Sequence, residues 1–171
     1  TALLELAASM KLIHERAEEW CVNADKIIVQ GCSAGGHLAA SLGVFWHEKW
    51  LAEQTGCRQE WLRPAGMLLC YPVITSGEFA HRGSFENLLR GQYTEEMLER
   101  VSLEKQVTDQ TPPTFLWHTY TDQAVPVENS LMFVQALRKH QISTEFHMYP
   151  VGQHGLSTCD EESIMEDGRG I

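Results

Sequence analysis

Residues 27–36 read Ile-Ile-Val-Gln-Gly-Cys-Ser-Ala-Gly-Gly, a β-branched run that opens directly into a G-x-S-x-G pentapeptide. A helix-like stretch with Ala34, His37, Leu38, Ala39, Ala40 and Leu42 follows at once. A chain that passes from strand to helix this abruptly brings two backbone segments almost into contact, and only residues without bulky side chains permit it. The spacing predicts that Gly31 and Gly35, two positions either side of Ser33, are the residues at that crossing. A turn of this kind is a nucleophile elbow. It presents the serine hydroxyl above the sheet edge in a strained conformation, with the free N–H groups and positive dipole end of the new helix aimed at it. Ser33 is therefore the candidate nucleophile. The competing readings are a glycine-rich turn that merely packs closely and a phosphate cradle; the latter fits worse, because neither G-x-G-x-x-G nor Gly-Lys-Ser/Thr accompanies the turn. Cys32, one residue before the apex, is expected to point away from the reaction face as a small packing residue.

The rest of the chain alternates between helical and extended patterns. Leu3, Leu6, Met10, Ile13, Ala17 and Trp20 recur at three- and four-residue steps, predicting one long helix that feeds the elbow strand. Apolar runs at 67–71, 114–119 and 144–149 read as strands, the first of them buried and the last preceded by a helix over about 128–140. This order predicts an α/β fold: a three-layer sandwich with a mostly parallel sheet, helices on both faces, and functional groups gathered beyond the strand carboxyl ends. Residues 73–111 lack a strong strand signal and carry short helical pieces near 84–89 and 94–101. They read as a lid or pocket wall within one domain spanning 1–171, with a purely structural insertion as the equal alternative.

Composition narrows the partners. A formal charge of -10 argues against nucleic acid and anionic membrane, both of which this surface would repel. The apolar runs are too short to span a bilayer, and no signal-like segment opens the chain. The five cysteines are odd in number, lack C-x-x-C spacing, and read as buried thiols rather than a disulfide frame or zinc site, which leans towards the cytoplasm.

A serine hydroxyl is a poor nucleophile at neutral pH, so the elbow demands a histidine base and a carboxylate that orients it. Asp122 lies just past the third strand, in Tyr120-Thr121-Asp122-Gln123-Ala124-Val125-Pro126, and His154 lies just past the fourth, in Gly152-Gln153-His154-Gly155. Each has a bland alternative: Asp122 as a turn former, His154 as a solvated loop residue. His14, His37, His47 and His140 fall on expected helices and His118 and His147 within strands, so they read as surface or satisfied interior groups. His81, in the 73–111 stretch, is within reach of a substrate but nothing singles it out. No H-E-x-x-H or similar spacing points to a metal, and Trp46, Trp50 and Trp61 read as packing.

Several segments together carry a resemblance: Gly-Cys-Ser-Ala-Gly-Gly-His-Leu-Ala-Ala at 31–40, Cys-Tyr-Pro-Val-Ile at 70–74, Thr-Pro-Pro-Thr-Phe-Leu-Trp-His at 111–118, Thr-Asp-Gln-Ala-Val-Pro-Val-Glu-Asn-Ser at 121–130 and Gly-Gln-His-Gly-Leu-Ser at 152–157. With them the chain resembles the small esterase/lipase branch of the α/β-hydrolases, whose members include acetyl-xylan-esterase-like and arylformamidase-like enzymes. The chain order serine, aspartate, histidine agrees with that superfamily. The resemblance implies hydrolysis of a small acyl ester, acetyl in type, through an acyl-enzyme with no cofactor. It maps Ser33, Asp122 and His154 onto nucleophile, acid and base, and makes the backbone N–H of Ala34 an oxyanion donor. Two further classes stay open: a prolyl-oligopeptidase-like serine peptidase, and a non-catalytic binding or assembly module on the same scaffold.

The chain departs from that family at its start, where it carries no His-Gly-Gly-Gly-type loop and opens inside the crossover helix. The elbow strand is then expected to form an edge of the sheet. The expectation is a fragment, completed by an upstream segment, by another polypeptide or by a second copy of itself.

Overall fold

Among the described residues, four strands, β1 (Ile28–Cys32), β2 (Gly66–Cys70), β3 (Thr114–Thr119) and β4 (Thr144–Tyr149), pair in chain order and all in parallel. The computed structural model describes residues 1–157. Among the described residues, six α-helices accompany the strands: α1 (Ala2–Glu15), α2 (Ala34–Phe45), α3 (Lys49–Thr55), α4 (Arg82–Leu89), α5 (Glu95–Val101) and α6 (Glu128–Lys139).

Parallel register makes side chains of the same parity share a face. Gly31, Leu69, Leu116 and Phe146 stand in one row across the sheet, and Gln30, Leu68, Phe115 and Glu145 stand in the next row, on the opposite face. Leu69, Leu116 and Phe146 join the main core, which also takes Ala7 and Met10 of α1, Ala40 and Leu42 of α2, Leu51 of α3, and Phe133 and Leu137 of α6. The opposite face carries a smaller cluster of Cys70, Tyr71, Trp117 and Leu156, with Cys32 against it in the packing role its position suggested. Among the described residues, α1, α2, α3 and α6 thus pack on the Leu69 face. Ile28, on the edge strand β1, remains 63% exposed.

The apolar stripe runs past the regular part of α1. The helix stops at Glu15, and the chain closes with Val22 N–H donating to the Ala17 carbonyl and Cys21 N–H to the Glu18 carbonyl. With Cys21 at φ 52 this is a Schellman-type ending, which turns Trp20 outwards to 46% exposure instead of onto the stripe. Cys21 is itself exposed, contrary to the expectation of buried thiols, and Cys159 lies outside the described residues. No helix among the described residues is long and apolar enough to cross a membrane.

The turn from β1 to α2 shows which glycines the crossing needs. A Cβ on Gly31 would lie 2.1 Å from the Gly35 carbonyl oxygen, a backbone atom with nowhere to go. Gly36 is nearly as tight, since a Cβ there would meet the Pro72 Cβ at 2.7 Å. At Gly35 a Cβ would meet nothing within 4 Å. The expected pair, Gly31 and Gly35, is therefore corrected to Gly31 and Gly36: Gly35 contributes its backbone to the contact, and its side-chain position is open. Gly31→Ala is expected to destabilise the fold by about 3 kcal/mol or more, whereas Gly35→Ala is expected to be neutral or to stabilise slightly because alanine suits a helix better. Thermal melts of the two variants check this, and a mild Gly31→Ala would count against the crossing as the limiting contact.

Candidate active site

Ser33 occupies the apex between β1 and α2 with φ 55 and ψ -121, a conformation that costs a non-glycine residue energy and persists only when its surroundings impose it. Those surroundings are backbone bonds. Ser33 N–H donates to the Cys70 carbonyl at 3.0 Å, and the Ser33 carbonyl accepts from His37 N–H at 3.2 Å and Val73 N–H at 3.0 Å. Ala34 is the first residue of α2, so its N–H has no acceptor within the helix and is available above the turn.

The Ser33 hydroxyl lies 2.7 Å from His154 Nε2, and His154 Nδ1 lies 2.6 Å from Asp122 Oδ2. The three residues proposed from the sequence are thus in one hydrogen-bonded line, although Ser33 and His154 are 121 positions apart. Asp122 is buried and is also the turn former of its bland reading: Oδ1 accepts from Ala124 N–H at 2.9 Å and Val125 N–H at 3.0 Å. Burial pushes the Asp122 pKa up, but hydrogen bonds from His118, His154, Val125 and Ala124 outweigh it and hold the carboxyl well below the usual carboxylate range.

The loop bearing His154 is tied down at both ends. Thr119 Oγ1 and Thr121 Oγ1 each donate to the Gly152 carbonyl at 3.0 Å, and Gly152 N–H donates back to Thr121 Oγ1 at 3.0 Å. At the far end, Ser157 N–H donates to the Tyr71 hydroxyl at 2.9 Å. The Tyr71 ring packs edge-on against His154 with centroids 4.9 Å apart, so the tyrosine fixes both the ring and the loop behind it. Burial pushes the Tyr71 phenol up to about 12, which keeps it neutral.

From local pattern Tyr71 reads as a strand residue and His118 as a satisfied interior histidine. His118 is indeed buried and bonded, but one of its neighbours is the Asp122 carboxylate, 3.3 Å away. The one available signal was its place at the carboxyl end of a strand, four residues before the acid. His37 and His81 are engaged elsewhere. Burial pushes the His37 pKa down and its ring bonds the Val101 carbonyl at 2.9 Å, while His81 bonds Ser84 Oγ at 2.8 Å at the start of α4.

The 73–111 stretch leans on this site from the side. Val73 and Phe85 cluster with Val125, and the fully buried Asn129 of α6 satisfies its whole amide there. Its Oδ1 accepts from Ile74 and Thr75 N–H, and its Nδ2 donates to the Phe79 and Pro126 carbonyls. Leu89, Met97, Arg100 and Val101 line an open cavity of about 790 Å³ on the outer side.

A parallel sheet carrying a strained serine turn at one strand end, with aspartate and histidine on the loops after later strands, defines an α/β-hydrolase-type domain. The BD-FAE family matches residues 2–137, and the chain belongs to that family. It is 38% identical over 165 residues to an endo-1,4-beta-xylanase B of Butyrivibrio fibrisolvens, covering 94% of this chain and 25% of the relative. An acetylxylan esterase of Xylanibacter ruminicola is 26% identical over 157 residues, with 89% of this chain and 30% of the relative covered. Among solved structures, an acetyl ester-xyloside bifunctional hydrolase from Caldicellulosiruptor lactoaceticus superposes with a TM-score of 0.80 at 38% identity, over 90% of this chain and 57% of the other. The carboxylesterase Cest-2923 from Lactobacillus plantarum gives 0.78 at 30% identity, over 96% and 58%. The chain therefore spans under a third of these two curated relatives and under three fifths of these two structures.

The depressed Asp122 pKa links folding to acid. Its stabilising share is complete above the unfolded value of about 4 and is lost as pH falls towards the lower folded value. Acid unfolding followed by circular dichroism is expected to be steeper below about pH 4 in the wild type than in Asp122→Asn, whose amide takes up no proton there. Equal slopes would show that this carboxylate does not contribute to the linkage.

Proposed function

We propose that this chain carries the catalytic centre of a serine esterase that cleaves short acyl esters, acetyl in type, through an acyl-enzyme. The observation that carries the reading is the line of hydrogen bonds from the Ser33 hydroxyl through the His154 imidazole to Asp122, at 2.7 and 2.6 Å, on a strained turn at a helix start. With Nδ1–H donated to Asp122, the Nε2 lone pair faces the serine proton. His154 accepts that proton as Ser33 Oγ attacks the ester carbonyl, and Asp122 stabilises the imidazolium that forms. The Ala34 N–H donates to the developing oxyanion, backed by the positive end of α2. His154 then protonates the departing alkoxide, and a water activated by the same ring releases the acyl group as the carboxylic acid.

The names of the relatives support the ester class: an acetylxylan esterase, a carboxylesterase and an acetyl ester-xyloside hydrolase. One relative is named a xylanase, but glycoside cleavage needs two carboxyl groups flanking the bond. At this site the buried carboxylate Asp122 has both oxygens occupied by donors. The substrate is accordingly a small-molecule ester, of which an acetylated xylose-type sugar fits the relatives' names best. No cofactor takes part.

The test uses the protein at its full natural length. A fluorophosphonate probe is expected to label Ser33, and Ser33→Ala is expected to lose about 10³-fold or more of kcat on p-nitrophenyl acetate. A wild type that is neither labelled nor active would favour a binding module on a hydrolase scaffold. Faster turnover of peptide amides than of acetyl esters would favour a peptidase.

A further inference from the structure

Asp122 is flanked by two imidazoles. His118, near the end of β3, is fully buried; its Nε2 lies 3.3 Å from Asp122 Oδ2 and 3.0 Å from the Val125 carbonyl, and its Nδ1 lies 2.8 Å from Ser130 Oγ on α6. The hydroxyl decides where the ring proton sits. Ser130 is fully buried, and among the described residues His118 Nδ1 is the one partner of its side chain. If Nδ1 were the donor, the serine O–H would be left without an acceptor in the interior, at the full cost of an unmade hydrogen bond. Ser130 therefore donates to Nδ1, and the His118 proton is on Nε2. That N–H donates to the Val125 carbonyl, with Asp122 Oδ2 beside it at 3.3 Å.

We propose that His118 is a positioning residue for the reaction: its Nε2–H, locked by Ser130, shares the Asp122 oxygen that holds His154. The inference rests on the serine-esterase reading above. Asp122 Oδ1 is already fixed by the N–H groups of Ala124 and Val125. With His118 on one side of Oδ2, the carboxylate cannot rotate, and the remaining lone pair of Oδ2 is directed at His154 Nδ1. The second donor also draws charge from Oδ2. Its N–H dipole lies beside the oxygen that His154 Nδ1 contacts, so the carboxylate keeps the orientation in which His154 Nε2 faces Ser33. A carboxylate with a single imidazole partner would be freer to turn.

The experiment compares kcat and KM for p-nitrophenyl acetate across pH in full-length wild type, His118→Leu, His118→Gln and Ser130→Ala. The titratable groups facing His154, Asp122 and Tyr71, are intact in all four. His118→Leu is expected to lower kcat about tenfold or more with KM changed less than about twofold, the loss of the polar N–H that braces the charged Asp122 oxygen. The acid limb of kcat/KM is expected to move upwards, because the ionised Asp122 then faces a single imidazole. General loosening of the site would break the His154 to Asp122 contact and move that limb downwards instead. Glutamine, whose amide nitrogen reaches about the place of Nε2, is expected to restore most of kcat, and Ser130→Ala, which frees the ring to change tautomer, to fall between wild type and leucine.

A folded His118→Leu with wild-type kcat and limb overturns the proposal, as do equal losses in the leucine and glutamine variants with the limb unmoved. Should the leucine variant fail to fold, Ser130→Ala decides: wild-type kcat and limb in that variant overturn it. Fluorophosphonate labelling run alongside separates the two readings. Labelled Ser33 with indifferent His118 and Ser130 variants sinks the positioning role alone, whereas activity that survives Ser33→Ala removes both.

Discussion

The near-contact of Gly31 with the Gly35 carbonyl fixes how closely the start of α2 lies over the end of β1, and most of the site follows from that closeness. Because the two backbones touch, Ser33 has to bridge them with a positive φ, and its hydroxyl is held out from the sheet. Neighbouring strands lock the strain in. The Ser33 amide bonds to the end of β2 and its carbonyl is held by Val73, so relaxing the turn would break bonds to two other parts of the sheet edge. The turn also sets the direction of the helix, and with it the direction in which the Ala34 N–H faces.

The remaining side chains arrive from loops that follow β3 and β4, and these loops are bound to each other before they are bound to Ser33. Thr119 and Thr121 clasp Gly152, Tyr71 holds Ser157, and the backbone of Ala124 and Val125 holds Asp122. His154 therefore meets the serine as part of a pre-set frame, with 22% of its side chain still open to solvent or substrate. A buried carboxylate of this kind stays ionised because its donors supply in fixed form what water would supply outside. His118 lies against the same frame, and Asn129 ties residues 74–79 to it.

Much of this was legible from local pattern. The third and fourth strands coincide with their expected bounds, because apolar runs closed by prolines or turns leave little freedom of register. Ser33, Asp122 and His154 were each identified from a turn after a strand, and the structure brings those three side chains together. The misreadings share one cause. Gly35 was paired with Gly31 by symmetry of spacing, yet the crowding against Gly36 comes from Pro72, thirty-six residues further along the chain. Trp20 keeps helical spacing, but the Schellman ending at Cys21 turns it off the stripe. Tyr71 and His118 look like ordinary strand residues because what distinguishes them is contact with the His154 loop and with α6.

By itself the sequence determined the alternation of strands and helices, the parallel sheet, the strained serine turn and the order of the three candidate groups, since each is encoded in residues within a few positions of one another. Only the tertiary structure decided that Gly36 rather than Gly35 is sterically required, and that Asp122 lies against two histidines. Those facts depend on distances between segments far apart in the chain, and a periodicity or motif carries no information about such distances until the sheet has placed its strand ends side by side.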